Sequence, residues 1–286
     1  MKDSSPLISV IIPCYNYGHY IPEALESVRS QTNTDWECII VNDGSSDNSK
    51  EVIGKFIQGD ARFRLIDIPN SGVSYARNIA VAQAAGEYLF PLDADNYLHP
   101  DCLARCLGEF ERDAHLRLVY TEAELFGEEN GLWNLPEFDY ATMLKYNMVD
   151  NSCMFRREDF LRVGGYRTNM VYGLEDWDFF IALLYGAAKS QVLKIKEPLY
   201  SYRVNPKSRR MTVAASNRQK EMLDLIIYNN FQIYREYFPG IFERVHAYDF
   251  DKTLLNKPLV KFAGNLLIRL SVLKGRLSGN KKGARS

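Results

Sequence analysis

The chain has 286 residues, 46% of them hydrophobic and 25% charged, enough for one large domain, or one domain and an appendage, with a substantial core. Its net charge of -1 conceals an uneven distribution: residues 252–286 hold nine Lys and Arg and no acid, which leaves 26 bases against 36 acids, a charge of -10, on residues 1–251. So acidic a body is a poor nucleic-acid binder, and no run of about 18 apolar residues offers a membrane span.

The elements alternate from the start. Residues 7–13 form a buried β run stopped by Pro13, and residues 20–31 have helical spacing through Ile21, Ala24, Leu25 and Val28. A second strand over 36–42 runs into the turn Asp43-Gly44-Ser45-Ser46-Asp47 and a helix near 47–58, with Ser46 or Asp47 as its cap. A third strand over 63–68 leads through Asn70-Ser71-Gly72 to a helix at 73–84. A fourth strand ends in Asp93-Ala94-Asp95. This order predicts an α/β fold: a mixed, mainly parallel, Rossmann-like sheet flanked by helices, with ligands at the carboxyl ends of the strands. After a helix near 100–112 the alternation weakens. Strands are expected at 117–125 and 151–156, loop with short helix at 126–150, and helices at 175–185 and 216–236.

Cys14, Cys38, Cys102, Cys106 and Cys153 are an odd number with no CxxC and no secretory leader, so they read as reduced thiols of a cytoplasmic protein. Cys102 and Cys106 lie one helical turn apart without a nearby His, which favours small buried residues over a zinc site.

Several polar clusters should meet at one rim. In a strand, Asp93 and Asp95 would point to the same face, suited to a divalent cation that holds a diphosphate; a solvated turn is the plain alternative. Tyr15 can stack on a base or simply pack, and Asp43 can accept from a base N–H or simply shape a turn. Arg77 can meet a base carbonyl or a phosphate, or pair with an acid at the surface. Gly164-Gly165-Tyr166 precedes Gly173-Leu174-Glu175-Asp176-Trp177-Asp178, whose acids exceed what a helix cap requires, so one can serve as a general base.

Ser9-Val10-Ile11-Ile12-Pro13-Cys14-Tyr15-Asn16, Val41-Asn42-Asp43-Gly44-Ser45-Ser46-Asp47, Ala76-Arg77-Asn78, Leu92-Asp93-Ala94-Asp95 and Glu175-Asp176-Trp177-Asp178 resemble, in order and spacing, the motifs of family 2 inverting glycosyltransferases with the GT-A fold. The resemblance covers roughly residues 7–205. It implies transfer of a sugar from a nucleoside-diphosphate-sugar, with Mg²⁺ or Mn²⁺ at the diphosphate and a UDP-sugar favoured. By the same resemblance Pro13, Tyr15, Asp43 and Arg77 frame the nucleoside, with Asn16 and Ala94 completing the donor-binding set. Asp93 serves the ribose and the metal, Asp95 the metal, Asp176 is the base, and Glu175 positions acceptor or base. Where the family often has Tyr-Arg-x-His, this chain has Tyr202-Arg203-Val204-Asn205, so a metal or diphosphate contact from His is replaced by Asn205. Arg203, Lys207, Arg209 and Arg210 suit a flap over the diphosphate or a solvated loop. The Gln-x-x-Arg-Trp signature of processive enzymes is not evident, which favours one sugar per encounter.

Residues 1–212 are thus expected to form the glycosyltransferase domain and 213–286 a helical extension. In the extension Leu259, Phe262, Leu266, Leu270, Leu273 and Leu277 recur at helical spacing opposite Lys261, Arg269 and Arg276. Such a helix over 257–277 suits a peripheral contact with the inner face of the cell membrane, or docking on the catalytic domain or a second subunit. The membrane option makes a lipid-linked saccharide or a growing surface polysaccharide a natural acceptor. Two rivals remain. A metal-dependent sugar nucleotidyltransferase would place a Gly-rich loop where Pro13-Cys14-Tyr15-Asn16-Tyr17-Gly18 stands. A catalytically silent sugar-nucleotide-binding subunit would not need Asp93, Asp95 and Asp176 intact.

Overall fold

The structure, a computed structural model, describes residues 6–205 and 218–240, and the chain divides into two compact units, Met1–Phe231 and Gln232–Ser286. The first unit opens with β1 (Ile8–Cys14), α1 (Ile21–Arg29), β2 (Trp36–Asp43), α2 (Ser49–Phe56), β3 (Phe63–Ile68), α3 (Val73–Ala82) and β4 (Tyr88–Pro91). These are the alternating elements that the apolar runs predict. The cap of α2 differs: its N-cap is Asn48, while Asp47 accepts from the Ser49 and Gly18 amides.

Among the described residues the sheet has nine strands in the order β3-β2-β1-β4-β8-β6-β9-β5, with β7 beside β6; the further strands are β5 (Tyr97–Leu98), β6 (Leu118–Gly127), β7 (Gly131–Trp133), β8 (Met154–Arg156) and β9 (Val192–Val204). The parallel β1, β2 and β3 are in register to their ends, Cys14 opposite Asn42 and Asn42 opposite Asp67, so their following loops share one rim. β4 lies on the other side of β1. The strand order therefore reverses between β1 and β4, and crevices at such a reversal are where open α/β sheets bind ligands.

Side-chain alternation explains both faces of the sheet. Ile8, Val10, Ile12, Cys38 and Ile40 share a core with Ala24, Leu25 and Val28 of α1 and with Leu103 and Cys106 of α4 (Cys102–Arg112). Ile11, Ile39 and Val41 on the opposite face are equally buried, and α3 packs against β1 and β2. Each such fully buried side chain contributes about 1.5–3 kcal/mol. The polar exceptions are paired: Ser9 donates to Glu37 at 2.7 Å, and Glu37 also accepts from the Ala85 amide and Arg64. All five cysteines are buried free thiols, Cys102 and Cys106 on the inner side of α4.

The second half departs further from expectation. The strand expected at 151–156 begins only at Met154, and the loop expected at 126–150 has the short helix expected there, α5 (Tyr140–Met143), but also the strand β7. The elements that the sequence does not announce include the two-residue β5, α6 (Arg157–Val163) and the long β9. Pro198 hides β9, because it sits where the β6–β9 register shifts and the strand tolerates a missing N–H. α7 (Glu175–Leu183) forms as expected. The single helix expected at 216–236 is two, α8 (Arg218–Asn229) and α9 (Phe231–Tyr237). At the break, the buried Asn230 amide donates to Asp178 at 2.9 Å and to the Ile226 carbonyl. Among the described residues no helix is long and apolar enough to cross a membrane. The basic segment 252–286 lies outside the described residues.

Candidate active site

The loops after β1 and β2 are laced together. Asn16, in a left-handed conformation at φ 58°, donates its amide to Ser45 at 2.9 Å, and its side-chain oxygen accepts from the Ser46 amide at 2.7 Å. Asn tolerates that conformation better than most residues. Pro13 is half-buried and Tyr15 is exposed, its ring available beside the rim. Asp43 is buried, and its two oxygens accept from the Ser71 and Gly72 amides at 2.7 and 2.9 Å, so it fixes the loop that opens α3.

The Ala76-Arg77-Asn78 motif joins the two halves of the site. Arg77 is 2% exposed and lies beneath the rim, not on it. One guanidinium nitrogen donates to Asp93 at 2.7 Å and the other to Glu175 at 2.9 Å. Burial opposes the Arg77 charge, and the carboxylates of Asp93 and Glu175 outweigh it, so its pKa rises. Asn78 grips Tyr166 from both sides, donating to its carbonyl at 2.7 Å and accepting from its amide at 2.9 Å. Gly165 permits this approach: at φ 77°, a Cβ there would sit 2.6 Å from the Asn78 side-chain oxygen. The Tyr166 ring then lies 5.1 Å from the Arg77 guanidinium.

Asp93, Ala94 and Asp95 sit in the turn after β4, which stops at Pro91, so the expected strand alternation does not orient the two carboxylates. The turn does it through other bonds. Arg203 on β9 donates its amide to Asn96 at 2.9 Å and its side chain to the Asp95 carbonyl at 3.0 Å, and it also pairs with Glu23. Arg203 thus anchors the aspartate turn, while Lys207, Arg209 and Arg210 lie outside the described residues. Burial, with the charge of Asp93 added, pushes the Asp95 carboxyl up to about 7.

α7 starts under strain. Gly173 and its N-cap Leu174 both have positive φ, 123° and 60°, and Leu174 is a branched residue in the left-handed region. This bend turns Glu175 toward Arg77 and leaves Asp176 half-buried, with one oxygen accepting from Asn147 at 2.9 Å. Burial, then the charges of Glu175 and Asp150, push the Asp176 carboxyl up to about 7, the range useful to a general base. The third acid, Asp178, is 0% exposed and faces away from the rim, toward Arg167, Asn229 and Asn230. One guanidinium therefore joins Asp93 of the aspartate turn to Glu175, the residue before Asp176.

The profile of glycosyl transferase family 2 matches residues 9–174. The chain belongs to that family. Over 182 residues this family 2 member is 36% identical to a chondroitin synthase and a hyaluronan synthase of Pasteurella multocida, a match covering 62% of the chain and 19% of each relative. The chain thus spans about a fifth of the length of these relatives. A glycosyltransferase of Bacillus subtilis, EpsJ, is 31% identical over 219 residues, 71% of this chain and 62% of EpsJ. Among solved structures, S. aureus TarS 1-349 in complex with UDP-GlcNAc aligns at a TM-score of 0.64 with 19% identity, over 78% of this chain and 66% of that one. A mannosyltransferase from Pyrobaculum calidifontis in complex with GDP-Man and Mn²⁺ aligns at 0.61 with 18% identity, over 80% and 65%. These likenesses give the family 2 chain its GT-A fold.

Sequence reasoning missed several residues of the site. Asn147, which holds Asp176, and Asp150, three residues on, are single polar residues in a loop and carry no motif. Tyr17 carries no signal of its own in the sequence beyond its place in the Pro13–Gly18 loop, yet its hydroxyl is held above the usual tyrosine range by burial and by the charges of Asp95 and Asp93. Asn205 is half-buried at the end of the β9 segment.

Proposed function

We propose that the chain is an inverting glycosyltransferase that moves a sugar from a nucleoside-diphosphate-sugar to an acceptor hydroxyl. The observation that supports this reading is the Arg77 bridge, which ties Asp93 of the aspartate turn to Glu175, the neighbour of Asp176 in the chain, near the point where the strand order reverses. Pro13, Tyr15, Asn16 and Asp43 line the nucleoside side, with Arg77 beneath, and Asp93, Ala94 and Asp95 the diphosphate side. Asp176 takes the proton of the acceptor hydroxyl as that oxygen bonds to the anomeric carbon and the bond to the diphosphate oxygen breaks. Its raised pKa lets it hold that proton near neutrality. Glu175, paired with Arg77, keeps Asp176 in place. Attack from the side opposite the leaving group gives inversion.

The donor set of the turn suits Mg²⁺ or Mn²⁺. Asp95 is disfavoured as a bare anion beside Asp93, and a divalent cation on a diphosphate takes one or two carboxylates, with phosphate oxygens and water as its other ligands. Among the described residues no group of three His, Cys, Asp or Glu forms a closed protein site, in keeping with a cation shared with substrate. When bound, the cation offsets charge growing on the leaving diphosphate, and Asp93 and Asp95 would hold it.

A UDP-sugar donor and a saccharide or lipid-linked saccharide acceptor fit best, given the nucleotide and sugar ligands of the aligned structures and the polysaccharide synthases among the relatives. In this reading residues 1–212 are the catalytic domain and 213–286 a helical extension, with 257–277 resting on the inner membrane face. Turnover of UDP- and GDP-sugars with a saccharide panel, for wild type and Asp176→Asn, tests the proposal. Loss of a proton-transfer base lowers turnover by about 10²–10⁴-fold with donor binding retained. If both proteins bind donor and neither transfers, a silent binding subunit is the better description.

A further inference from the structure

Backbone strain such as that at Gly173 and Leu174 persists only where the surrounding structure holds it, and here both flanks of the bend are tied to α8. On the far flank, Asp178 of α7 is fully buried. Asn229, the last residue of α8, and Asn230, the next, donate to one of its oxygens at 3.1 and 2.9 Å, while Arg167 donates to the other at 2.9 Å. On the near flank, Asn169 and Asn229 exchange side-chain hydrogen bonds at 3.0 and 3.3 Å, and Arg167 also donates to the Asn230 oxygen at 3.3 Å. The other end of α8 brings the Arg218 guanidinium to 4.3 Å from the Tyr172 ring. Between the two ends Met222 and Ile226 are buried, and the Ile226 carbonyl accepts from Asn230 at 3.0 Å.

Glu175 and Asp176 lie in the chain between these ties, so the helix start that carries them is fixed by side chains that come after residue 212, outside the expected catalytic domain. Arg167 already balances the charge of Asp178; the two amides add direction, since hydrogen bonds to a charged acceptor are strong and geometrically selective. We infer that Asn229 and Asn230 are positioning residues for the transfer: by clamping both flanks of the Gly173–Leu174 bend to α8 they hold Asp176 at the angle from which it takes the acceptor's proton. α8 is then a working part of the catalytic unit and not an appendage to it. This rests on the glycosyltransferase reading. Angle matters because a misplacement of about 1 Å at a reacting group can cost about a hundredfold in rate.

Hydrogen exchange read by mass spectrometry, together with steady-state turnover, tests this on the full chain carrying Asn230→Ala. Exchange of the amides at 168–178 should quicken by about tenfold or more, while those of α1 and α2 stay within about twofold of wild type. Turnover is measured with the pair that wild type uses best among UDP-N-acetylglucosamine, GDP-mannose and a saccharide panel, well below the melting temperature. There kcat per donor-binding site should fall about ten- to a hundredfold with donor KM within about twofold, whereas simple destabilisation would leave kcat untouched. Asn229→Ala should give the same pattern at smaller size, and it carries the test if Asn230→Ala does not melt cooperatively. Unchanged exchange at 168–178, an equal quickening along the whole chain, an unchanged kcat, or a donor KM that rises as far as kcat falls would each overturn the positioning role. If wild type transfers no sugar, the glycosyltransferase reading falls and the positioning role with it, while the exchange result alone decides whether α8 holds the bend.

Discussion

Replacing Arg77 by Met removes the cation that Asp93 and Glu175 share and leaves two carboxylates facing an apolar side chain. Breaking a buried ion pair costs about 3–5 kcal/mol. The Glu175 side chain is 12% exposed and that of Asp93 36%, so Asp93 regains water and the lower end, about 3 kcal/mol, applies. For a domain of this size each kcal/mol moves the melting temperature by about 2–4 °C, which predicts a fall of about 6–12 °C by calorimetry or circular dichroism. Arg77→Lys keeps the charge without the two-pronged geometry and should fall between. Adding Glu175→Gln to Arg77→Met should recover about 1 kcal/mol or more, since one of the stranded charges is gone. If Arg77→Met melts within about 2 °C of wild type, the guanidinium is not the tie between the two halves of the site, and the reasoning fails.

Because the Asp176 carboxyl lies at about 7 in the folded chain, kcat/KM should rise roughly tenfold per pH unit below that value and level off above it; a profile flat from pH 5 upward would deny Asp176 the role of base. The same raised pKa makes a stabilising contribution that is fully present below the ordinary carboxylate value of 3.8 and is lost as pH rises to about 7, so urea midpoints should fall between about pH 4 and 7 and level off above, and Asp176→Asn should flatten that fall. Leu174→Gly relieves the left-handed N-cap and should change stability by no more than about 1 kcal/mol in urea titrations, whereas a larger loss would show that the Leu174 side chain outweighs its backbone strain. Asp178→Ala removes the acceptor that Arg167, Asn229 and Asn230 share and should destabilise by about 3 kcal/mol, with Asp178→Asn milder; equal effects would mean that the hydrogen bonds at Asp178 are not what matters.

The first half of the fold was legible because β1 and β2 are largely apolar runs, β3 carries Phe63, Leu65, Ile66 and Ile68, and each is followed by a polar cluster with turn chemistry. The aspartate turn was found by its residues and misjudged in its geometry: β4 ends at Pro91, and Arg203, more than a hundred positions away, orients what strand pleating was expected to orient. Arg77 looked like a contact for ligand or solvent, since nothing local announces that both of its acids arrive from elsewhere in the chain. β9 was obscured by Pro198, whose effect depends on a register shift visible only once β6 is alongside. Asp150 and Asn147 gain meaning only from the side chains that surround them, a tertiary fact with no periodicity behind it.

The pairing of Asn78 with the Tyr166 backbone, beside the Arg77 bridge, has a consequence for how such enzymes diversify. Two adjacent residues on α3 provide contacts between the nucleotide-side scaffold and the later stretch that carries Glu175, and the Asn78 contacts ask for main chain, not for any particular side chain. A foreign later stretch that offers a glycine pair at 164–165 and an acid at 175 would meet the same fittings, so chimeras exchanging residues 131–205 among relatives should keep the nucleotide they bind while changing the sugar or the acceptor they take.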